Sequence, residues 1–304
     1  MNINKGLIMS GMMAAMFSLP CLAQTKDGGI SADMLKEIQQ SQKLSSADKA
    51  LFNAVASNSI DNLAKNHANR GAIDTYFSVE TKAQSITDQK QSGRCWMFSG
   101  FNVLRSNFAN RTDSLSVELS QDYLFFWDQL EKANLFLQGV IDCASKPMDD
   151  VRVQFFFKNP INDGGTFCGV SDLVDKYGLV PSDVMPETFS AENTSKATAL
   201  IKSKLREFGL KLRDMANGGK SANEIKTEKT KMLSEIYRML TLTLGEPVKE
   251  FTYAFKNKDG RTVTEAKKYT PKSFAAEILG GKTIGGSFIM VMNDPRREYY
   301  KTYE

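Results

Sequence analysis

The sequence predicts an α+β fold with helices first and strands after, and three observations carry it. From Cys95 the apolar residues Met97, Phe101, Leu104 and Phe108 recur at spacings of four, three and four, which is one buried stripe of an amphipathic helix. Two longer stripes, Ile201-Leu205-Phe208-Leu212-Met215 and Ile225-Met232-Ile236-Met239-Leu240, lie either side of Asn217-Gly218-Gly219 as a helical hairpin. After Pro247 the period changes to two, with Phe251, Tyr253 and Phe255 alternating, so the helix-rich region is followed by β structure.

The chain of 304 residues can bury a large core, and its length suggests one large or two modest domains. Hydrophobic residues at 41% and charged residues at 24% are near the averages for soluble domains, which excludes disorder, collagen and a polytopic membrane protein. A net charge of +4 is too small over this length to make nucleic acid or anionic lipid the main partner.

The first residues read differently. Lys5 precedes the apolar run Leu7-Ile8-Met9 through Ala14-Ala15-Met16-Phe17, and Pro20-Cys21-Leu22-Ala23 follows, the pattern of a secretory signal peptide over 1–23 with cleavage after Ala23. The run is shorter than the ~20 residues a spanning helix needs, so no transmembrane segment is expected. Lipid attachment at Cys21 is the alternative, and Pro20 disfavours it. The mature protein is expected in a periplasmic or extracellular space. It keeps Cys95, Cys143 and Cys168, an odd number: a free Cys95, with Cys143 and Cys168 either bridged or both buried as thiols.

Residues 24–70 form a polar, helix-leaning lead-in, in which Ser31 and Asp33 cap a helix through Leu35 and Ile38 and Ser46 opens another. A helical domain over 71–191 begins its main helix at Cys95. It continues after Ser120 with Tyr123, Leu124, Phe126, Trp127 and Leu130 apolar and Glu131-Lys132 solvated. The hairpin over 192–244 is rich in basic residues, 11 against 6 acidic over 192–238. Its acidic residues are interspersed and no aromatics interleave, which favours a solvated face over nucleic-acid binding. Over 245–304, Asp259-Gly260 is a turn that returns Thr262-Val263-Thr264 as a partner strand, and Ser287–Met292 is a further strand ending at Asn293-Asp294-Pro295. A β-rich domain that has only begun there reads as incomplete.

The chemistry is concentrated in Gln89-Lys90-Gln91-Ser92-Gly93-Arg94-Cys95-Trp96. A cysteine in the first turn of a helix sits where unpaired backbone N–H groups and the helix dipole favour negative charge, the condition a thiolate nucleophile needs. Gly93 permits a tight backbone approach to that helix. Gln89, six residues upstream, can aim an amide N–H at the point served by the Cys95 backbone N–H, and two converging donors make an oxyanion hole. No metal or other cofactor is required.

This pattern, Gln-x5-Cys-Trp with Gly two before the Cys, resembles the papain-like cysteine peptidases, in the form of the bleomycin hydrolase/aminopeptidase C branch. It departs from the cathepsin form, which has a cysteine where Ser92 stands and a small residue where Arg94 stands. The resemblance runs on through Glu118–Phe126, Asn162–Gly165, Lys176–Pro181, Met185-Pro186-Glu187, Leu205–Phe208 and Asn293–Pro295, roughly residues 70 to 300. It implies a papain-like fold: a helical domain bearing Cys95, a helical insertion at 192–244 and a β-rich partner domain. It implies thiol-dependent trimming of peptide substrates from the N-terminus, with Gly164 and Gly165 as a backbone edge for an extended peptide and Asp163 and Trp96 as neighbouring substrate-binding residues. It also implies a homohexameric ring. The family's catalytic His and its orienting Asn lie downstream in the β-rich domain, whereas the single histidine here, His67, precedes Cys95. The expectation is a chain cut short before the second half of its active site; a peptide-binding pseudoenzyme is the alternative.

Overall fold

The computed structural model describes residues 29–301 apart from 70, 72, 73, 83, 113, 114 and 292, so the expected leader and Cys21 lie outside the described residues. The chain divides into two compact units, with the boundary at Phe77/Ser78. No described helix is long and apolar enough to cross a membrane.

The first unit holds α1 (Ala32–Ser41), α2 (Ser46–Ser57), α3 (Ile60–Leu63) and a single 3-10 turn, His67–Asn69. Ser31 caps α1 as expected, its Oγ accepting from the Met34 N–H at 3.1 Å. α2 opens at Ser46 as expected, and its cap is Ser45, on which Asp48 closes a capping box. None of these helices buries a residue.

In the second unit α4 (Cys95–Arg111) buries the whole stripe Met97, Phe101, Leu104 and Phe108. A two-residue strand β1 (Leu115–Ser116) leads to α5 (Gln121–Asp142), capped by Ser120 Oγ on the Tyr123 N–H at 3.0 Å. Then come α6 (Val151–Lys158), α7 (Phe167–Tyr177) and α8 (Phe189–Glu192), none with a long enough stripe to be read in sequence. The hairpin follows as α9 (Thr194–Asn217) and α10 (Ala222–Leu244), the latter opened by a capping box of Ser221 and Glu224. Both pack on α5, and Ile201, Leu205, Phe208, Leu212, Met232, Ile236 and Leu240 join the residues of α4 in one continuous core. The axis of the unit is therefore α5, buried along most of its length between the hairpin and the α4/α7 pair.

The β region departs from expectation. β2 (Phe251–Tyr253) pairs antiparallel with β4 (Lys267–Tyr269), and β3 (Lys256–Asn257) pairs with β1. The turn at Asp259-Gly260 is present, with Asn257 Oδ1 accepting from the Asp259 and Arg261 N–H groups. Residues 262–264 return only as an isolated bridge at Thr262 and a Val263 N–H to Phe255 carbonyl bond. The pairing is displaced because β2 aligns Phe251 with Tyr269, and both rings pack on Phe274 of α11 (Pro271–Leu279). The expected strand over Ser287–Met292 does not form over 287–291: no strand pairs with it among the described residues, and Ile289 and Val291 are 93% and 92% exposed. An apolar run makes a strand only where a ladder satisfies its backbone. Cys143 and Cys168 are not bridged; Cys143 is buried at the end of α5 and Cys168 is exposed in the first turn of α7.

The end of α7 meets the start of α11 at Gly178, which holds φ at +85° and lies so close that a Cβ would stand 2.3 Å from the Pro271 carbonyl. The Leu179 N–H donates to that carbonyl at 3.0 Å. Gly178→Ala meets both a left-handed backbone penalty and a backbone clash, and is expected to cost about 3 kcal/mol or more, read as a lowered midpoint in urea unfolding.

Candidate active site

Cys95 is the first residue of α4 and is exposed, while Trp96, Met97 and Phe98 after it are buried. The N-cap is Arg94, which makes no side-chain cap, and the first intrahelical bonds run from the Met97 and Phe98 N–H groups to the Arg94 carbonyl. The Cys95 and Trp96 N–H groups therefore take no part in the ladder, and they flank the thiol at the positive end of a 17-residue helix.

The loop before the helix is fixed from within and from outside. Ser92 Oγ donates to the Gln89 carbonyl at 2.7 Å and Gln89 Nε2 donates back to the Ser92 carbonyl at 2.5 Å. Lys90 sits at φ +51°, its N–H held by Asp88 Oδ1 at 2.8 Å. The Gln91 N–H donates to the Glu192 carbonyl, and the Gly93 N–H to Asp163 Oδ2 at 3.2 Å. The second N–H of the half-buried Gln89 amide makes no hydrogen bond among the described residues. Gln89, expected from sequence as an oxyanion donor, is thus tied into this loop by the loop's own hydrogen bonds.

The strongest anchor is Arg94. Its side chain is 0% exposed and forks onto Glu187, with Nη1 and Nη2 reaching the two carboxylate oxygens at 3.0 and 2.6 Å. Nε donates to Ser92 Oγ at 3.0 Å, and the rings of Phe98 and Phe125 each lie 5.2 Å from the guanidinium. Beside this pair lies Asp122, fully buried. Burial and the charge of Glu187 push its carboxyl up to about 8, against smaller opposing pulls from Arg94 and from the Thr188 N–H and hydroxyl.

Trp96 links the nucleophile to the glycine loop. Its Nε1 donates to the Asp163 carbonyl at 2.7 Å, and a Cβ on Gly165 would stand 2.6 Å from its ring. Gly164 and Gly165 are exposed beside it, where a backbone edge can face a ligand. The Asp163 carboxylate is engaged inside the protein, taking the Gly93 N–H and the hydroxyls of Thr194 and Thr198. Its contribution here is to tie the nucleophile loop to the start of α9. Lys132, expected in solvent, is half-buried and spans to this loop. Nothing local in the sequence pairs Arg94 with Glu187, 93 residues on; the signal for Lys132 was Asp128-Gln129, a polar pair inside an otherwise apolar run. A groove of about 410 Å³ lined by Glu131, Lys176, Tyr177 and Tyr237 includes none of these residues, so cavity size does not locate the site.

Comparison with known proteins places the chain in a family. The profile of the Peptidase C1-like family matches residues 29–304. An aminopeptidase C of Lactobacillus delbrueckii subsp. lactis is 37% identical over 266 residues, which cover 88% of this chain and 59% of that protein. Bleomycin hydrolase of Homo sapiens is 36% identical over 230 residues, 74% of this chain and 50% of the relative. The crystal structure of PepW from Lactobacillus rhamnosis HN001 superposes with a TM-score of 0.78 at 35% identity, over 85% of this chain and 58% of that one. The chain spans between half and three fifths of the length of these relatives.

The buried Asp122 makes stability depend on pH. Its folded-state pKa is raised to about 8 above the ordinary 3.8, so the folded state binds more protons in between; the stabilisation is full below the lower value and is lost as pH rises through the upper one. Asp122→Asn removes that loss. Its melting temperature is expected to exceed that of the wild type by several degrees at pH 8.5, and the gap to close by pH 4, measured by circular dichroism.

Proposed function

Because the chain belongs to the Peptidase C1-like family, we propose that it carries the nucleophile half of a cysteine-type aminopeptidase that hydrolyses peptides through an acyl-enzyme. The observation that carries this reading is the exposed Cys95 thiol at an uncapped helix start, with the Gln89 amide fixed on the adjoining loop. In the reaction Cys95 Sγ bonds to the substrate carbonyl carbon, and the carbonyl oxygen takes up the negative charge against the Gln89 amide and the Cys95 N–H. The C–N bond then breaks, the amine leaves with the proton that the thiol gave up, and water later cleaves the thioester, releasing the acid and returning a proton to Cys95 Sγ. Gly164 and Gly165 offer the backbone edge along which the peptide lies, with Trp96 beneath them.

The one histidine of the sequence, His67, precedes Cys95, whereas the resemblance places the base downstream of the nucleophile. The 304 residues alone are therefore proposed to turn over little or no substrate. The same observation favours a second reading, a peptide-binding relative without turnover. We place the mature protein outside the cytoplasm on the strength of the leader 1–23, and a homo-oligomer on the strength of the resemblance.

Two measurements test these readings. With aminoacyl fluorogenic substrates the 304-residue chain is expected to be no faster than Cys95→Ala; Cys95-dependent hydrolysis by this chain alone overturns the proposal of inactivity and eliminates the second reading. Mass spectrometry of the exported protein is expected to find Gln24 at its N-terminus, and an intact Met1 in the exported material rejects the cleavage site.

A further inference from the structure

An ammonium group has three N–H donors, and at Lys132 all three are taken. Nζ lies 2.7 Å from Asp128 Oδ2, 2.8 Å from the Asn162 carbonyl and 2.7 Å from the Gly164 carbonyl. No donor remains for a substrate. The lysine instead joins α5 to the two peptide units that frame Asp163, at the glycine loop next to Cys95. Gln129 Nε2 doubles the arrangement, donating to the Asn162 carbonyl at 3.0 Å and to Asp128 Oδ2 at 2.9 Å. The ammonium also sits 5.6 Å from the Trp96 ring, whose face closes against Gly165. Asp128 is 6% exposed, so the pair is held at a cost that a solvent-facing i,i+4 pair does not bear.

We propose that Lys132 is a positioning residue: by fixing the Asn162 and Gly164 carbonyls against α5 it sets the backbone edge that aligns an extended peptide beside Cys95. This rests on the reading of Cys95 as a peptidase nucleophile. The site it serves recognises peptide backbone, so losing Lys132 weakens recognition of a peptide and leaves the thiol itself as reactive as before.

The test uses the 304-residue chain and two reagents with one warhead, methyl vinyl sulfone and a dipeptidyl vinyl sulfone, following the Cys95 adduct by peptide mapping. In the wild type the dipeptidyl reagent is expected to label Cys95 faster; equal rates there reject the peptidase reading and this inference with it. In Lys132→Met that preference is expected to fall about tenfold or more, because a displaced edge misaligns the peptide, while the methyl vinyl sulfone rate stays at the wild-type value. Lys132→Arg is expected to restore most of the preference, as a positioned cation can again reach the carbonyls. A wild-type preference retained in Lys132→Met overturns the proposal, and so does a parallel fall in both rates, which marks a general structural role. If Lys132→Met does not fold, Asp128→Asn with Lys132→Met leaves no unpaired buried charge and carries the same measurement with the same outcomes.

Discussion

A guanidinium with no access to water stands one residue before the nucleophile, and the geometry around Cys95 depends on how it is satisfied. Burying a cation costs several kcal/mol unless its donors are matched. Arg94 is matched by the two Glu187 oxygens, by Ser92 Oγ and by two aromatic faces. The planar fork tolerates little displacement, so it fixes the distance between the 89–94 loop and the segment carrying Glu187. That segment is itself sewn to the start of α5: the Ser120 N–H donates to the Val180 carbonyl, Ser120 Oγ to the Met185 carbonyl and the Ser182 N–H to the Glu118 carbonyl. The N-termini of α4 and α5 are thereby held in one frame. A small residue at 94 could not transmit this, since it would leave Glu187 without its partner and the loop without its outer anchor.

Asp122 belongs to the same frame. With Glu187 already committed to Arg94, a second carboxylate beside it has no cation left to pair with, and burial removes water as a substitute. A neutral carboxyl is the consistent state. The interior behind the nucleophile therefore carries one ion pair and one acid held in its protonated form, rather than two competing carboxylates.

What the sequence made legible follows the range of the interactions involved. The stripes of α4, α5, α9 and α10 are local in sequence and bury against neighbours over several turns, so periodicity alone found them. Helix starts were equally local: α1 is capped by Ser31 and α2 opens at Ser46, where the Ser45–Asp48 capping box lies within four residues. Strand partners were not local. Phe251 pairs with Tyr269 because both rings need Phe274, a residue of a helix not yet reached when the alternation is read. The site divides the same way. Cys95, Gln89 and Gly93 were placed by a fixed offset within seven residues. Glu187, Asp163 and Lys132 are tied to this region from other elements, and those ties were hidden: the Asp163 carboxylate takes the Gly93 N–H, and Lys132, read as a solvated charge, reaches the Gly164 carbonyl.

The two halves of the visible site, nucleophile and peptide edge, are joined at Trp96, and that junction explains why glycine is required where the edge is. The indole donates to the Asp163 carbonyl on one side, and on the other its ring fills the space a side chain at Gly165 would occupy, at 2.6 Å from a built Cβ. Gly169, a turn further into α7, meets the same ring at 3.2 Å. Gly165 thus satisfies two demands with one absence. Lacking a Cβ, it lets Trp96 lie flat beneath the loop, and it leaves its backbone bare on the outer face where an extended chain can approach. Any substituent that pushed the indole away would also shift residue 95, because Trp96 is its neighbour in the first turn of α4. Packing and recognition at this loop are therefore one constraint, and it acts directly on the nucleophile.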